Sequence, residues 1–199
     1  SFNKWYSSDP HASNEDHYKD IITHENLSKL SRSDFTDFFY TFVAEGGKIQ
    51  SGGDRQKNRF KETIEKNYES FKSFMLEPFQ PAFNLDSWLG RVGEYKHFGF
   101  GSATIYLNRV DKNTYCIVNN KTKDALKKLG FEISTDNIKS YYETKKAQEE
   151  LLKAYPTLKN FYKTDALNHY IIAIEEGRKI IETINSSDDW LAAILREHC

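Results

Sequence analysis

"HFGFGSATIYLN", residues 97–108, holds two glycines one residue apart, then a serine and an apolar run. It can be a nucleotide-cradling loop, a clamp on a DNA backbone, or a tight turn between packed helices. The dinucleotide fingerprint needs G-x-G-x-x-G after a strand and before a helix. Gly99 and Gly101 supply the first pair, but position 104 is Thr, and the preceding "WLGRVGEYKHF" reads as helix. No Lys-Ser or Lys-Thr follows at P-loop spacing, so both nucleotide readings fall away. A helix–turn–helix hairpin fits better. Trp88, Val92 and Tyr95 share one helical face before the turn; Ala103, Tyr106, Leu107 and Val110 share one after it. Phe98 and Phe100 would plug between the helices while the glycine backbones face outward. Gly99 and Gly101 allow close approach of another backbone, and the free N–H groups at the next helix start suit a phosphate. Ser102 would cap that helix or donate to a phosphate oxygen.

Helical periodicity continues in both directions. "SRSDFTDFFYTFVAEGG" places Phe35, Phe38, Phe39 and Phe42 at i, i+3, i+4, i+7, with Ser33 as the expected N-cap and Gly46 as the stop. Thr23 is expected to cap a short helix ending near Leu30. Another helix runs from about 54 to 75, broken near Tyr68. "LEPFQPAF", 76–83, carries two prolines and divides an N-terminal helical lobe (1–77) from a hairpin lobe (82–199), or lies within one compact domain. Helices are expected near 86–92, 103–109, 122–129 (stopped by Gly130), 138–154, 165–184 and 188–197. Only "TYCIV", 114–118, looks strand-like. The fold class is therefore all-α, with at most one short extended segment.

The chain has 199 residues, enough for one large or two small domains with a real core. Aromatic residues reach 15%, and most of the rings should be core. Two cysteines, Cys116 and Cys199, make no disulfide framework, which points to a reducing, cytoplasmic setting. No apolar run approaches the roughly 20 residues of a membrane helix, and the first residues lack the apolar region of a signal peptide. The chain begins without Met, as a segment trimmed from a longer protein would, and its C-terminal tail reads as a native helix or a truncation edge.

The overall charge of −1 gives no support to nucleic-acid binding. The local charge does. Residues 88–131 hold eight bases and three acids, a net of +5 centred on the hairpin. Lys96, Arg109, Lys121 and Lys123 are the candidates for phosphate neutralisation; Lys127 and Lys128 simply complement a helix C-terminus.

The hydrophobic-Gly-hydrophobic-Gly pattern, followed by a small residue and Ala or Thr, resembles the helix-hairpin-helix DNA-binding motif. That superfamily includes base-excision glycosylases, whose hairpin is followed by a catalytic Asp about ten residues before a Leu-Gly helix end. Here "NNKTKDALKKLGF" (119–131) has the Leu129-Gly130 end but Asn119 at the Asp position. An amide cannot act as a general base. The lysine of bifunctional members is replaced by Ala103. Both departures argue against glycosylase chemistry.

Three segments, 45–60, 98–131 and 161–171, also resemble the helical N-terminal regions of McrB-like AAA+ ATPases of restriction and phage-defence systems. The resemblance implies a non-catalytic target-recognition module for duplex DNA, with the NTP-binding ATPase module and a nuclease partner lying elsewhere. Neither a cofactor nor a membrane partner is expected for this segment. A hairpin of this type can hold a monovalent cation through backbone carbonyls.

Lesser candidates remain. Gly52-Gly53 before Arg55, Lys57 and Arg59 could form an anion nest, although Asp54 works against a phosphate. "NNKT", 119–122, is read first as a turn with Thr122 capping the next helix; Asn119 and Asn120 could instead contact DNA, as could His97 and Thr104 within the hairpin. Asp165 is the one surviving catalytic carboxylate, for a divergent glycosylase, set against a plain helix-capping role with Thr164. The six histidines show no i, i+3 or i+4 pairing with one another, so no zinc site is proposed. A protein-interaction module whose hairpin merely packs is the third functional class.

Overall fold

Eleven α-helices and no β-strand make up the described part of this computed structural model, residues 1–48 and 54–186. Helices α1 (Phe2–Ser8), α2 (Pro10–Asn14) and α3 (His24–Lys29) lead into α4 (Arg32–Ala44), α5 (Asp54–Lys66) and α6 (Tyr68–Leu76). Then come α7 (Leu85–Arg91), α8 (Phe100–Val110), α9 (Asn120–Lys128), α10 (Asn137–Ala154) and α11 (Phe161–Ser186). None of the described helices is long and apolar enough to cross a membrane. The expected 188–197 helix lies outside the described residues.

Local chemistry sets most boundaries. Thr23 caps α3 by accepting from the Asn26 amide. Ser31, rather than Ser33, caps α4: its hydroxyl accepts from the Asp34 amide and donates to the Asp34 carboxylate. The serine with an acid three residues on wins because the two groups satisfy each other. Gly130, at φ +91°, closes α9, with the Phe131 amide returning to the Leu126 carbonyl.

One aromatic core joins the two sides of the 76–83 proline segment. Phe35, Phe39, Phe60, Phe71 and Phe74 share it with Trp88, Phe98 and Tyr106. Trp88 stacks on Phe74 at 4.4 Å between ring centres. Its indole N–H donates to the Phe74 carbonyl, and the Tyr106 hydroxyl donates to the Met75 carbonyl. Both acceptors are last-turn carbonyls of α6, where i→i+4 partners run out; the Phe74 carbonyl also takes the Glu77 amide, and the same rings fill the core and tie down the helix end.

The strand-like 114–118 segment forms no strand: Thr114 lies in a turn with its amide bonded to the Asp111 carbonyl, and 115–118 pair with no strand. Side chains of α8 take the place of a neighbour: Asn108 Nδ2 donates to the Tyr115 carbonyl at 2.7 Å, and Thr104 Oγ1 accepts from the Val118 amide at 3.0 Å. Thr104 and Asn108 stand one turn apart on the same helix face. The Cys116 thiol beneath them is fully buried and reaches the Tyr141 carbonyl.

The N-terminal segment is fastened by polar bonds. Glu15 accepts from the Tyr6 hydroxyl, Lys112 Nζ and Asn160 Nδ2. Burial alone would raise its carboxyl, but these three donors hold it down at about 2. A carboxylate depressed below its unfolded value contributes stability above about pH 4.5, and that contribution is lost as pH falls toward 2. Glu15→Gln should therefore flatten the acid side of the stability profile, read from urea midpoints at about pH 6 and about pH 3. Gly47, at φ +58°, lies so close to α8 that an added Cβ would sit 2.5 Å from Ile105 Cγ2. Gly47→Ala should cost on the order of 2 kcal/mol by strain and overpacking, visible as a lower thermal midpoint.

Candidate functional site

Helices α7 and α8 flank the Gly99–Gly101 turn, and α8 starts earlier than expected. After α7, a 3-10 turn (Val92–Glu94) leads to Tyr95 and Phe98, which are both buried. Phe98 stacks on Phe60 and meets Phe71 edge-on, anchoring the turn to α5 and α6 rather than plugging α7 against α8. Gly99 is exposed at φ +69° with open space around its α-carbon. Helix α8 begins at Phe100 rather than near Ala103, so Gly101 and half-buried Ser102 lie in its first turn. No side chain caps it, which leaves first-turn amides for solvent or a ligand. A Cβ on Gly101 would lie 3.8 Å from the Val118 carbonyl and 3.9 Å from Asn119 Cβ. The starts of α8 and α9 thus abut.

Asn119 caps α9 by accepting from the Thr122 amide, so the cap is Asn119 and not Thr122, which turns inward. Asn120 and Lys121 are exposed and Lys123 half-buried. Burial and neighbouring Lys127 hold the Lys123 ammonium below the usual lysine value, as in a locally positive field. On the other flank, Arg59, Lys66, Lys96 and His97 rim a cleft of about 460 Å³ together with Glu62 and Glu94. The fold therefore brings Arg59, 37 positions before Lys96, to the hairpin's side. The side chains of Arg55 and Lys57, and the Gly52-Gly53 pair, lie outside the described residues.

Two expected DNA contacts are interior instead. Thr104 is fully buried and bonded to the 101–118 backbone. Arg109 is also buried: its guanidinium donates to the Asn14, Glu15 and Gly47 carbonyls and lies over the Tyr162 ring at 4.4 Å. The sequence-local +5 shrinks as well, because acids from elsewhere in the chain answer it. Arg91 pairs with Glu77, Lys112 with Glu15 and Asp16, and Lys128 with Glu175. Lys96, Lys121, Lys123 and Lys127 have no ion pair among the described residues.

Behind α9 lies a buried polar cluster that charge counting does not find. Asp165 is not a helix cap: α11 starts at Phe161, and Asn160 accepts from the Lys163 amide. The Asp165 carboxylate is fully buried and accepts from Thr122 Oγ1 at 2.6 Å. One turn on, His169 Nε2 stands 3.6 Å from Asp165 Oδ2. His11, from α2, completes the group, its ring centre 4.9 Å from that of His169. Burial pushes Asp165 up to about 6, against the pull of Thr122, His11, Arg109 and Lys121. Burial, aided by Lys121, pushes His169 down to about 4, and burial lowers His11 as well. A search for His–His spacing misses this group. Its local signal is Asp165-x-x-x-His169, and its third member is far away in the chain.

Comparison with protein families, with curated proteins and with solved structures finds no match. The site must be read from its own geometry. Arg109→Met should remove the guanidinium donor from the buried Gly47 carbonyl and the part-buried Asn14 and Glu15 carbonyls and cost roughly 3 kcal/mol in chemical denaturation, the signature of an interior residue and not of a ligand contact.

Proposed function

We propose that the chain is a non-catalytic module that binds duplex DNA through its phosphate backbone. The observation that carries this reading is the abutment of the α8 and α9 starts at Gly101 and Asn119, beside exposed Lys96 and Lys121, which have no ion pair among the described residues. Amides from two helix starts and two flexible cations suit adjacent phosphate oxygens. Arg59 and Lys66 extend the positive rim along the neighbouring cleft, and Ser102 and Asn120 supply neutral donors. The interior placement of Arg109 and Thr104 removes them from the contact set. The McrB-like resemblance supplies the setting: target recognition within a larger restriction or defence protein.

Duplex binding should weaken steeply with salt, and each lost phosphate contact should lower the log–log salt slope by about 0.9. Fluorescence anisotropy on Lys96→Ala and Lys121→Ala should show shallower slopes with unchanged melting. Wild-type slopes in both folded variants would remove the hairpin from the interface.

A protein-docking reading has its own support in an apolar groove of about 520 Å³ lined by Phe2, Leu129, Phe131, Leu151, Tyr155 and Leu158. Leu129 and Tyr155 are notably exposed there. No DNA retention even at low salt would favour this reading.

A further inference from the structure

Three side chains of the buried cluster bring potential ligand atoms close together. His11, Asp165 and His169 each offer one ligand atom within 4.8 Å of the others. Among the described residues, His11 Nε2, Asp165 Oδ2 and His169 Nε2 have no hydrogen-bond partner, although their side chains are only 7%, 0% and 9% exposed. Leaving three such atoms unpaired in the interior is costly.

The remaining contacts fit a ligand set. His11 Nδ1 lies 2.5 Å from Asp9 Oδ1. An Nδ1–H donated to that carboxylate leaves the lone pair on Nε2, facing the cluster, and locks the ring. Asp165 Oδ1 is held by Thr122, so Oδ2 alone is presented. A carboxylate-oriented imidazole, as at His11, and a hydrogen-bonded carboxylate, as at Asp165, are outer supports that metal ligands commonly have.

We propose that His11, Asp165 and His169 form a site for a divalent first-row transition ion, best suited to Zn²⁺, that fastens the N-terminal segment to α11. Bonds of about 2.0–2.2 Å require tetrahedral donors about 3.4 Å apart. The Asp165–His169 separation of 3.6 Å is already close to this, and side-chain rotation closing at most about 1.5 Å completes the rest. Lys121 and Arg109 lie within electrostatic reach of Asp165, and Lys121 of His169, while Asp9 supplies the opposing charge. These cations disfavour a hard ion held by charge alone, such as Mg²⁺ or Ca²⁺. Two imidazoles and one carboxylate favour a borderline ion held by directed bonds. Three protein ligands leave one position for water.

The test uses the full chain, stripped with chelator and titrated calorimetrically with ZnCl₂. Melting is followed alongside, and Co²⁺ serves as an absorbing substitute. The chain's adjacent His198 and Cys199 are themselves metal-binding residue types, so uptake is also measured in H198A/C199S. The site predicts one ion per chain in both backgrounds and a Zn²⁺-raised melting temperature. It also predicts a tetrahedral Co²⁺ spectrum. His11→Gln and His169→Gln should abolish these effects while circular dichroism stays native. Asp9→Asn should weaken binding about ten- to a hundredfold, and His24→Ala, at an exposed histidine, should change nothing. Uptake that disappears in H198A/C199S, uptake that survives both glutamine variants, or no uptake at all would overturn the site.

Discussion

The Arg109 guanidinium ties together parts of the chain that no helix contact alone would hold. It reaches the carbonyls of Asn14 and Glu15 at the end of the N-terminal segment and that of Gly47 after α4. It also lies over Tyr162 of α11 and Tyr18. A guanidinium can do this because its donors form a fixed planar fork and its face stacks on rings. These carbonyls lie in the turn that ends α2 and in the short 3-10 turn after α4, so the arginine joins two turns to α8. Gly47 must remain side-chain-free for that turn to approach α8. The Glu15 network and the His11 cluster then sit on either side of the same anchor. The Tyr162 hydroxyl joins them by donating to the His11 carbonyl.

Helix α8 organises the other half of the argument. Its first turn presents the hairpin amides, its middle turns hold the 114–118 segment through Thr104 and Asn108, and its last turn carries Arg109. A single eleven-residue helix therefore links the proposed DNA-facing surface to the buried polar interior. Thr122 continues the link by standing between the Asn119 cap and Asp165.

Features governed by neighbours in the chain were legible in the sequence. The Phe35–Phe42 spacing gave a helix, Thr23 its cap and Gly130 a stop, because each depends on residues within a turn or two. The all-α class followed from that periodicity. Features governed by distant partners were not legible. Thr114–Val118 has strand-like composition, but composition does not reveal that helix side chains will take up its backbone groups. Arg109 counts as +1 wherever it lies, and nothing nearby in sequence announces the three carbonyls waiting for it. Lys112 and Lys128 swelled the local charge count because their partners Glu15 and Glu175 lie outside the window counted. Of the candidate site, the hairpin glycines and the exposed Lys96 and Lys121 were readable. Arg59's position beside them was not, nor was the meeting of His11 with Asp165 and His169.

Cys116 lies beneath the 114–118 segment with no exposed surface, and burial raises its thiol well above the usual range. Thiolate chemistry is therefore shut off while α8 and α10 remain closed over it. Alkylation at this sulfur must wait for the segment to lift from Thr104 and Asn108, so its rate acts as a clock for the opening of the interior. With Cys199 replaced, that one atom would report how often the layer between the hairpin and the polar cluster comes apart.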